Sequence, residues 1–405
     1  RPARRAEEQP AAADAAAGEN QVEDIAAGGK EARGFHESSI MDDMLGLFRI
    51  VRQKIAPSYL GVDIGTTSIK MAEVARGERL PKLVNYGILE SSGYLLRSNN
   101  VLQTSTLKIF EDDAGELTRL LKEKVKPKTT EAVASLPAFA AFMTTLNFPP
   151  MSPAELQKSM AYQAREYIPL PISEVAVDWM KVGEYEDEKG AKFDQVLLIS
   201  VPQEQIRRYQ NVFKKAGLRL RALEVESLSA ARILCGSDPT PTVLVDIGSR
   251  STNISVVDGG ELRFNSQSDF AGASLTEAVS KSLSINPLRA EELKKERGVA
   301  GTGPNYELST IMLPFLDVII GEVKKAQFAY QNQFPQARKI ERAMLSGGGA
   351  NLIGVEKYFE SELGIPSVKA SPLAKFDCDP SLGPIVPELN PLLAVSLGLA
   401  VREFV

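Results

Sequence analysis

The chain has 405 residues, enough for two or three domains with substantial cores, in an ordinary globular mix of 43% hydrophobic and 24% charged residues. A formal net charge of −5 argues against a nucleic-acid protein, whose binding face is basic. One histidine, His36, lies in a polar tail, and neither Cys235 nor Cys378 sits in a Cys-x-x-Cys spacing, which argues against histidine catalysis, zinc and a disulfide framework. Free thiols fit a reducing cytoplasm. No apolar run approaches the roughly 20 residues of a membrane span, and the first residues lack the apolar centre of a signal peptide.

Residues 1–43 are rich in Ala, Glu, Gly, Asp and Arg, have almost nothing to bury, and read as a disordered tail. Because the chain begins with Arg, this stretch reads as an upstream extension, with Met41 or Met44 as a natural start. Met44 to Val51 is short and amphipathic, expected as a helix packed on its own domain, with weak docking to a membrane or partner as the alternative. Residues 58–90 predict three strands, and Asp112 to Lys124 a helix with an apolar stripe of Leu117, Leu120 and Leu121.

Glu131 to Leu136 and Ala140 to Phe148 read as strands closed by Pro149-Pro150. Ser152 as N-cap, Pro153 at N1 and Glu155 at N3 start a helix running to Tyr167. Val175 to Val182 and Gln195 to Val201 form a hairpin whose exposed charged tip is Glu184 to Lys192, and Trp179 is expected in the core. Gln203 to Ala216 is a helix stopped by Gly217. Residues 130–222 thus read as an α/β subdomain inserted into a first lobe made of 44–129, 223–238 and 388–405. Residues 239–387 form a second lobe: a hairpin, a third strand Glu261 to Ser268, helices beginning at Gly272 and Leu288, and a long helix Tyr306 to Asn332. A strand Arg342 to Ser346 and a helix Val355 to Leu363 follow, and Asn390 to Glu403 closes the chain as an Ala/Leu-rich helix.

The stretch that carries chemistry is Tyr59-Leu-Gly-Val-Asp-Ile-Gly-Thr-Thr-Ser-Ile-Lys70. Two β-branched runs flank a Gly-Thr-Thr turn, where Gly65 lets the backbone bend back and successive N–H groups point into one concavity that suits a phosphate. Thr66, Thr67 and Ser68 add hydroxyls and Lys70 a positive charge. Asp63 stands at the strand end, placed to hold a Mg²⁺ that keeps its waters. Thr242-Val-Leu-Val-Asp-Ile-Gly-Ser-Arg-Ser-Thr-Asn253 repeats the grammar with Asp246, Gly248, Ser249 and Ser251. Two such hairpins in two halves of a chain can grip one polyphosphate from both sides. Gly347-Gly-Gly349, between a strand and a helix, allows a ligand close to the backbone. Glu291 and Lys294 fall three apart on one helix face, as a surface ion pair also would.

Two Asp-x-Gly hairpins, a Glu-started connecting helix at Glu226, a Gly-rich loop and a small-residue closing helix resemble the superfamily of actin, heat-shock ATPases and sugar kinases over about residues 58–403. Closer matches point to its FtsA-like branch and, within it, to the PilM family of type IV pilus assembly. They are Phe148 to Leu156 with Ala164 to Ile172, Leu345 to Leu352, and Asn390 to Ala400. The resemblance implies an actin-like two-lobed α/β fold, with duplicated mixed β-sheet lobes and an inserted small α/β subdomain. It implies ATP and Mg²⁺ as ligands. Asp63 and Asp246 would hold the metal; Gly65, Thr66, Thr67 and Lys70 would bind phosphates from one side, and Gly248, Ser249 and Ser251 from the other. Glu226 would position water. Gly272, Glu291, Lys294, Gly347, Gly348 and Gly349 would surround the nucleoside. Arg250 stands where FtsA relatives tend to have Gly.

As partner the resemblance implies the short cytoplasmic N-terminal tail of PilN, through which a cytoplasmic protein reaches the inner-membrane complex. Two other readings share these motifs. A carbohydrate-type kinase begins the same way but needs an Asp base in a sugar cleft, and 130–222 is the wrong segment for one. An FtsA-like division protein is expected to carry a basic amphipathic membrane helix after the closing helix, where this sequence ends at Val405.

Overall fold

The computed structural model describes residues 58–90, 111–187, 189–299 and 306–404. The tail 1–43 and the amphipathic stretch 44–51 lie outside the described residues. Ser58–Ile64 (β1) and Ser68–Ala75 (β2) form the first hairpin, with Asp63 directly opposite Lys70, and Lys82–Glu90 (β3) pairs antiparallel with β2. Glu111–Val125 (α1) crosses to Glu131–Leu136 (β4), which lies parallel to β1. Phe142–Phe148 (β5), Pro153–Tyr167 (α2), Val175–Glu186 (β6) and Lys192–Pro202 (β7) come next, then Gln203–Lys215 (α3). Arg219–Val225 (β8) pairs parallel with β4 and leads into Glu226–Leu234 (α4).

The second half repeats the first. Thr242–Ile247 (β9), Thr252–Asp258 (β10) and Glu261–Ser268 (β11) form a three-stranded meander. Gly272–Leu283 (α5), Pro287–Arg297 (α6) and Tyr306–Gln333 (α7) cross over to Arg342–Ser346 (β12), and Val355–Leu363 (α8) to Ser367–Lys369 (β13). Among the described residues the strand orders are β3-β2-β1-β4-β8 and β11-β10-β9-β12-β13, each an antiparallel meander extended by two parallel strands. Short connections give antiparallel pairs and helical crossovers give parallel ones, so the duplicated sequence grammar becomes a duplicated sheet. This is the two-lobed α/β architecture expected.

The inserted segment differs from the expected 130–222. Both β4 and β8 belong to the first sheet, and Tyr209, Val212 and Phe213 of α3 share a core with Leu60 and Val62 of β1. The separate sheet has the order β5-β7-β6 and spans 142–202. A buried parallel strand such as β4 reads in sequence like any apolar run, and only its partners reveal which sheet it joins. In the separate sheet, Leu146, Phe148, Val196 and Leu198 face Leu156, Met160 and Ala164 of α2, which begins with a Ser152–Glu155 capping box. Trp179 is only half-buried against this cluster. The exposed tip is shorter than Glu184 to Lys192, because β6 runs to Glu186 and β7 starts at Lys192.

The closing helix is Val386–Val401 (α9), starting before the expected Asn390 and carrying Pro391 inside it. It lies on β1 and α4 at van der Waals limits. A Cβ on Gly61 would fall 1.8 Å from the Ser396 carbonyl oxygen, and one on Gly398 would fall 2.1 Å from that of Ser229. Arg232 ties the same crossing, donating to both Glu224 oxygens at 2.7 and 2.9 Å and to the Gly398 carbonyl at 3.0 Å.

Candidate functional site

Both turns close identically. The Gly65 N–H donates to the Ser68 carbonyl at 2.9 Å and the Gly248 N–H to that of Ser251 at 3.0 Å. Thr66, Thr67, Ser249, Arg250 and Ser251 are half-buried around these turns. A Cβ on Gly248 would meet the Ser251 carbonyl oxygen at 2.8 Å, so the second turn requires glycine. Each aspartate stands at the end of its first strand and is held by a serine from the adjacent parallel strand. Ser135 Oγ of β4 donates to Asp63 Oδ1 at 2.8 Å, and Ser346 Oγ of β12 donates to Asp246 Oδ1 at 3.1 Å. The sequence reading missed both serines. Their signal was one hydroxyl after three apolar residues in each strand, Glu131-Ala-Val-Ala-Ser135 and Arg342-Ala-Met-Leu-Ser346.

Lys70 Nζ donates to Asp63 Oδ2 at 3.0 Å, the cross-strand register having put both side chains on one face. Burial acts to lower the Lys70 pKa. Asp63, Asp246 and Glu226 outweigh it and hold the ammonium above its ordinary value, so the carboxylates of both hairpins and the connecting helix share one field. Glu226, first residue of α4, takes the Ala138 N–H on Oε1 at 3.1 Å. Desolvation by burial, then the charges of Asp246 and Asp63, push its carboxyl up to about 8. Asp246 is also raised, by burial first and by Asp63, with Lys70 and Ser346 opposing. Among the described residues no group of three or more His, Cys, Asp or Glu has metal-holding geometry. Two carboxylates at the strand ends fit a hydrated Mg²⁺ held through its waters, and do not fit a direct protein cage.

The second hairpin is backed by the start of α5. The Gly272 N–H donates to the Gly248 carbonyl at 3.1 Å and the Ala273 N–H to that of Ser249 at 2.7 Å. Lys294 Nζ, buried, donates to the Gly272 carbonyl at 3.0 Å, to Thr276 Oγ1 at 2.9 Å and to Glu291 Oε2 at 2.6 Å. Glu291 and Lys294 therefore do pair with each other, but the pair also anchors the first turn of α5 against the second hairpin. Gly347, at φ +80°, leaves no room for a side chain: a Cβ would fall 2.5 Å from Asp246 Oδ1. Its N–H donates to the Pro391 carbonyl of α9 at 2.9 Å, and Gly349 packs on Ile247 so closely that a Cβ would fall 2.2 Å from its methyl. Gly348 is open by comparison, its nearest neighbour being Leu392 at 3.8 Å. The second turn, the start of α5 and the Glu291–Lys294 pair are thus joined by hydrogen bonds, and Gly347 stands against Asp246.

The family model described as type IV pilus assembly protein PilM matches residues 61–404. Among solved structures, the chain is similar to the PilM–PilN type IV pilus biogenesis complex, at 22% identity over 85% of this chain and 98% of that one, with a TM-score of 0.71. It is also similar to the ethanolamine utilization protein EutJ from Carboxydothermus hydrogenoformans, at 18% identity over 85% and 89%, with a TM-score of 0.51. These likenesses agree with the duplicated sheets in showing an actin-like fold. With the family match running from β1 to the 3₁₀ turn after α9, the chain belongs to the PilM family of type IV pilus assembly proteins.

Proposed function

We propose that this chain binds Mg-ATP between its two lobes, with the nucleotide as a structural ligand, and scaffolds the inner-membrane pilus complex from the cytoplasm by holding the N-terminal tail of PilN. The observation that carries the nucleotide reading is the meeting of two equivalent hairpins, Asp63 with Lys70 and Asp246, with Glu226 in the same field. In this reading the turns at Gly65 to Thr67 and Gly248 to Ser251 take the phosphates. Lys70 neutralises them, and Asp63 and Asp246 hold the metal's waters. Gly272, Glu291, Lys294 and the 347–349 loop line the nucleoside side. Glu226 orients water, but a carboxyl pushed up to about 8 is mostly protonated at neutral pH and a poor base, so turnover is slow. Lys70→Ala and Gly248→Val should each weaken Mg-ATP binding by about tenfold or more, the first by losing a charge-assisted contact and the second by breaking the turn. Titration calorimetry giving unchanged affinity for both variants would defeat the site assignment.

The partner reading rests on the PilN named in the similar complex and on the shape of the inserted sheet. Both β5 and β6 are edge strands, and Tyr162, Tyr167, Leu170 and Val177 stand exposed on and beside α2 and β6. An extended peptide can add to a sheet edge and place alternate side chains in pockets. One tail peptide per chain should slow amide exchange within 142–202 and the adjoining first lobe, leaving the turn at Asp187 untouched. Protection confined to residues 240–385, or no binding at all, would rule this out, and protection that depends on protein concentration alone would point to self-association.

A further inference from the structure

Asp63 and Asp246 occupy equivalent places, yet their surroundings are not equivalent. Both oxygens of Asp63 are engaged: Ser135 Oγ donates to Oδ1 at 2.8 Å and Lys70 Nζ to Oδ2 at 3.0 Å. Ser135 Oγ also receives the Ile64 N–H at 3.3 Å, fixing the hydroxyl from the other side. In the second hairpin the register that placed Lys70 opposite Asp63 places Asn253 opposite Asp246. Asn253 is uncharged and its Oδ1 accepts from Asn265 Nδ2 at 2.7 Å, so it does not neutralise Asp246. Ser346 Oγ donates to Asp246 Oδ1, and the Gly347 backbone closes over that same oxygen. One aspartate is locked and paired with a cation of the protein itself. The other is oriented through a single oxygen and has the uncharged Asn253 opposite it in the strand register.

We infer that Ser135 and Ser346 are positioning residues of this site, and that Asp246, set by Ser346, carries the divalent cation while Asp63, set by Ser135, serves to hold Lys70 for the phosphates. The inference rests on the Mg-nucleotide reading and divides between two residues a role that reading gives to both. The chemistry is that of an outer-shell donor, which fixes a carboxylate's orientation so that its other oxygen faces the ion or the ion's water. Removing such a donor costs roughly tenfold or more in metal affinity. A serine on Asp63 acts instead on the ammonium, whose loss is felt by the phosphates with or without metal.

The test is calorimetric titration of the full chain with ATP, in excess Mg²⁺ and in excess chelator, for the unsubstituted protein, Ser346→Ala, Ser346→Thr and Ser135→Ala. Ser346→Ala should lose roughly tenfold of the affinity gained from Mg²⁺ while metal-free affinity stays within about twofold. Ser346→Thr, which keeps the hydroxyl, should restore the gain. Ser135→Ala should weaken ATP equally in both conditions. Electron paramagnetic resonance of Mn²⁺ in the nucleotide complex gives a second readout, its spectrum changed by Ser346→Ala and unchanged by Ser135→Ala. An undiminished Mg²⁺ gain in Ser346→Ala, or equal metal-dependent losses in the two alanine variants, would overturn the inference alone. No ATP binding to the unsubstituted chain would overturn the nucleotide reading and the inference together.

Discussion

Glu226→Gln should make the protein more stable at pH 9 and change it least at pH 5. The carboxyl is pushed up to about 8 in the folded chain against an ordinary 4.5, because burial desolvates it and Asp246 and Asp63 repel its charge. The folded state therefore binds the proton more tightly than the unfolded state does. Its contribution is fully present below about 4.5, declines as pH rises, and is lost once pH passes about 8. The charged form is then buried at a cost on the order of a few kcal/mol, which glutamine avoids while still accepting the Ala138 N–H. Thermal unfolding at pH 5, 7 and 9 should show a gap between the two proteins that widens with pH. A gap of constant size would mean that Glu226 is ionised throughout. The same variant should abolish whatever slow ATP turnover the protein has, and turnover in the unsubstituted protein should rise as pH passes through about 8. Fast partner-free hydrolysis at pH 7 would contradict both the protonated carboxyl and the structural role given to ATP.

What the sequence made legible was local. The Asp-x-Gly hairpins could be read because a strand, a glycine turn and a second strand are contiguous. Their duplication predicted two equivalent lobes, which the matching strand orders bear out. The Ser152–Glu155 capping box was legible for the same reason. What escaped depends on non-local register. Ser135 and Ser346 act on aspartates 72 and 100 residues away, and only the parallel pairing of β4 with β1 and of β12 with β9 brings them there. The limits of the inserted sheet escaped similarly, since β4 is hydrogen-bonded to β1 and β8 to β4, pairings that leave no mark in their own sequences. The spacing of Glu291 and Lys294 predicted a pair. It could not predict that Lys294 would also hold the Gly272 carbonyl and so brace α5 against the turn of the second hairpin.

The largest loss of stability is expected where α9 crosses the first lobe, and the same substitution elsewhere should have the opposite sign. In Gly61→Ala the new methyl would lie 1.8 Å from the Ser396 carbonyl oxygen and 2.8 Å from the Ala400 nitrogen. Both are backbone atoms inside a helix, so neither can turn aside as a side chain would. Relief requires lifting α9 from β1, where Leu393, Leu397 and Ala400 are buried in the main core. Gly398→Ala meets the Ser229 carbonyl oxygen at 2.1 Å and would push α9 off α4. Each should cost about 3 kcal/mol or more. In a chain of this size that lowers the melting temperature by on the order of 5 °C or more. Gly321, inside α7, has nothing within 4 Å of where a Cβ would stand. There alanine fits without contact and gains helix propensity, so Gly321→Ala should stabilise by roughly 0.5–1 kcal/mol. Calorimetric unfolding of the three variants side by side decides the matter. A Gly61→Ala protein as stable as the parent would show that α9 does not seat on β1 at this distance. A destabilised Gly321→Ala would show that the outer face of α7 is covered.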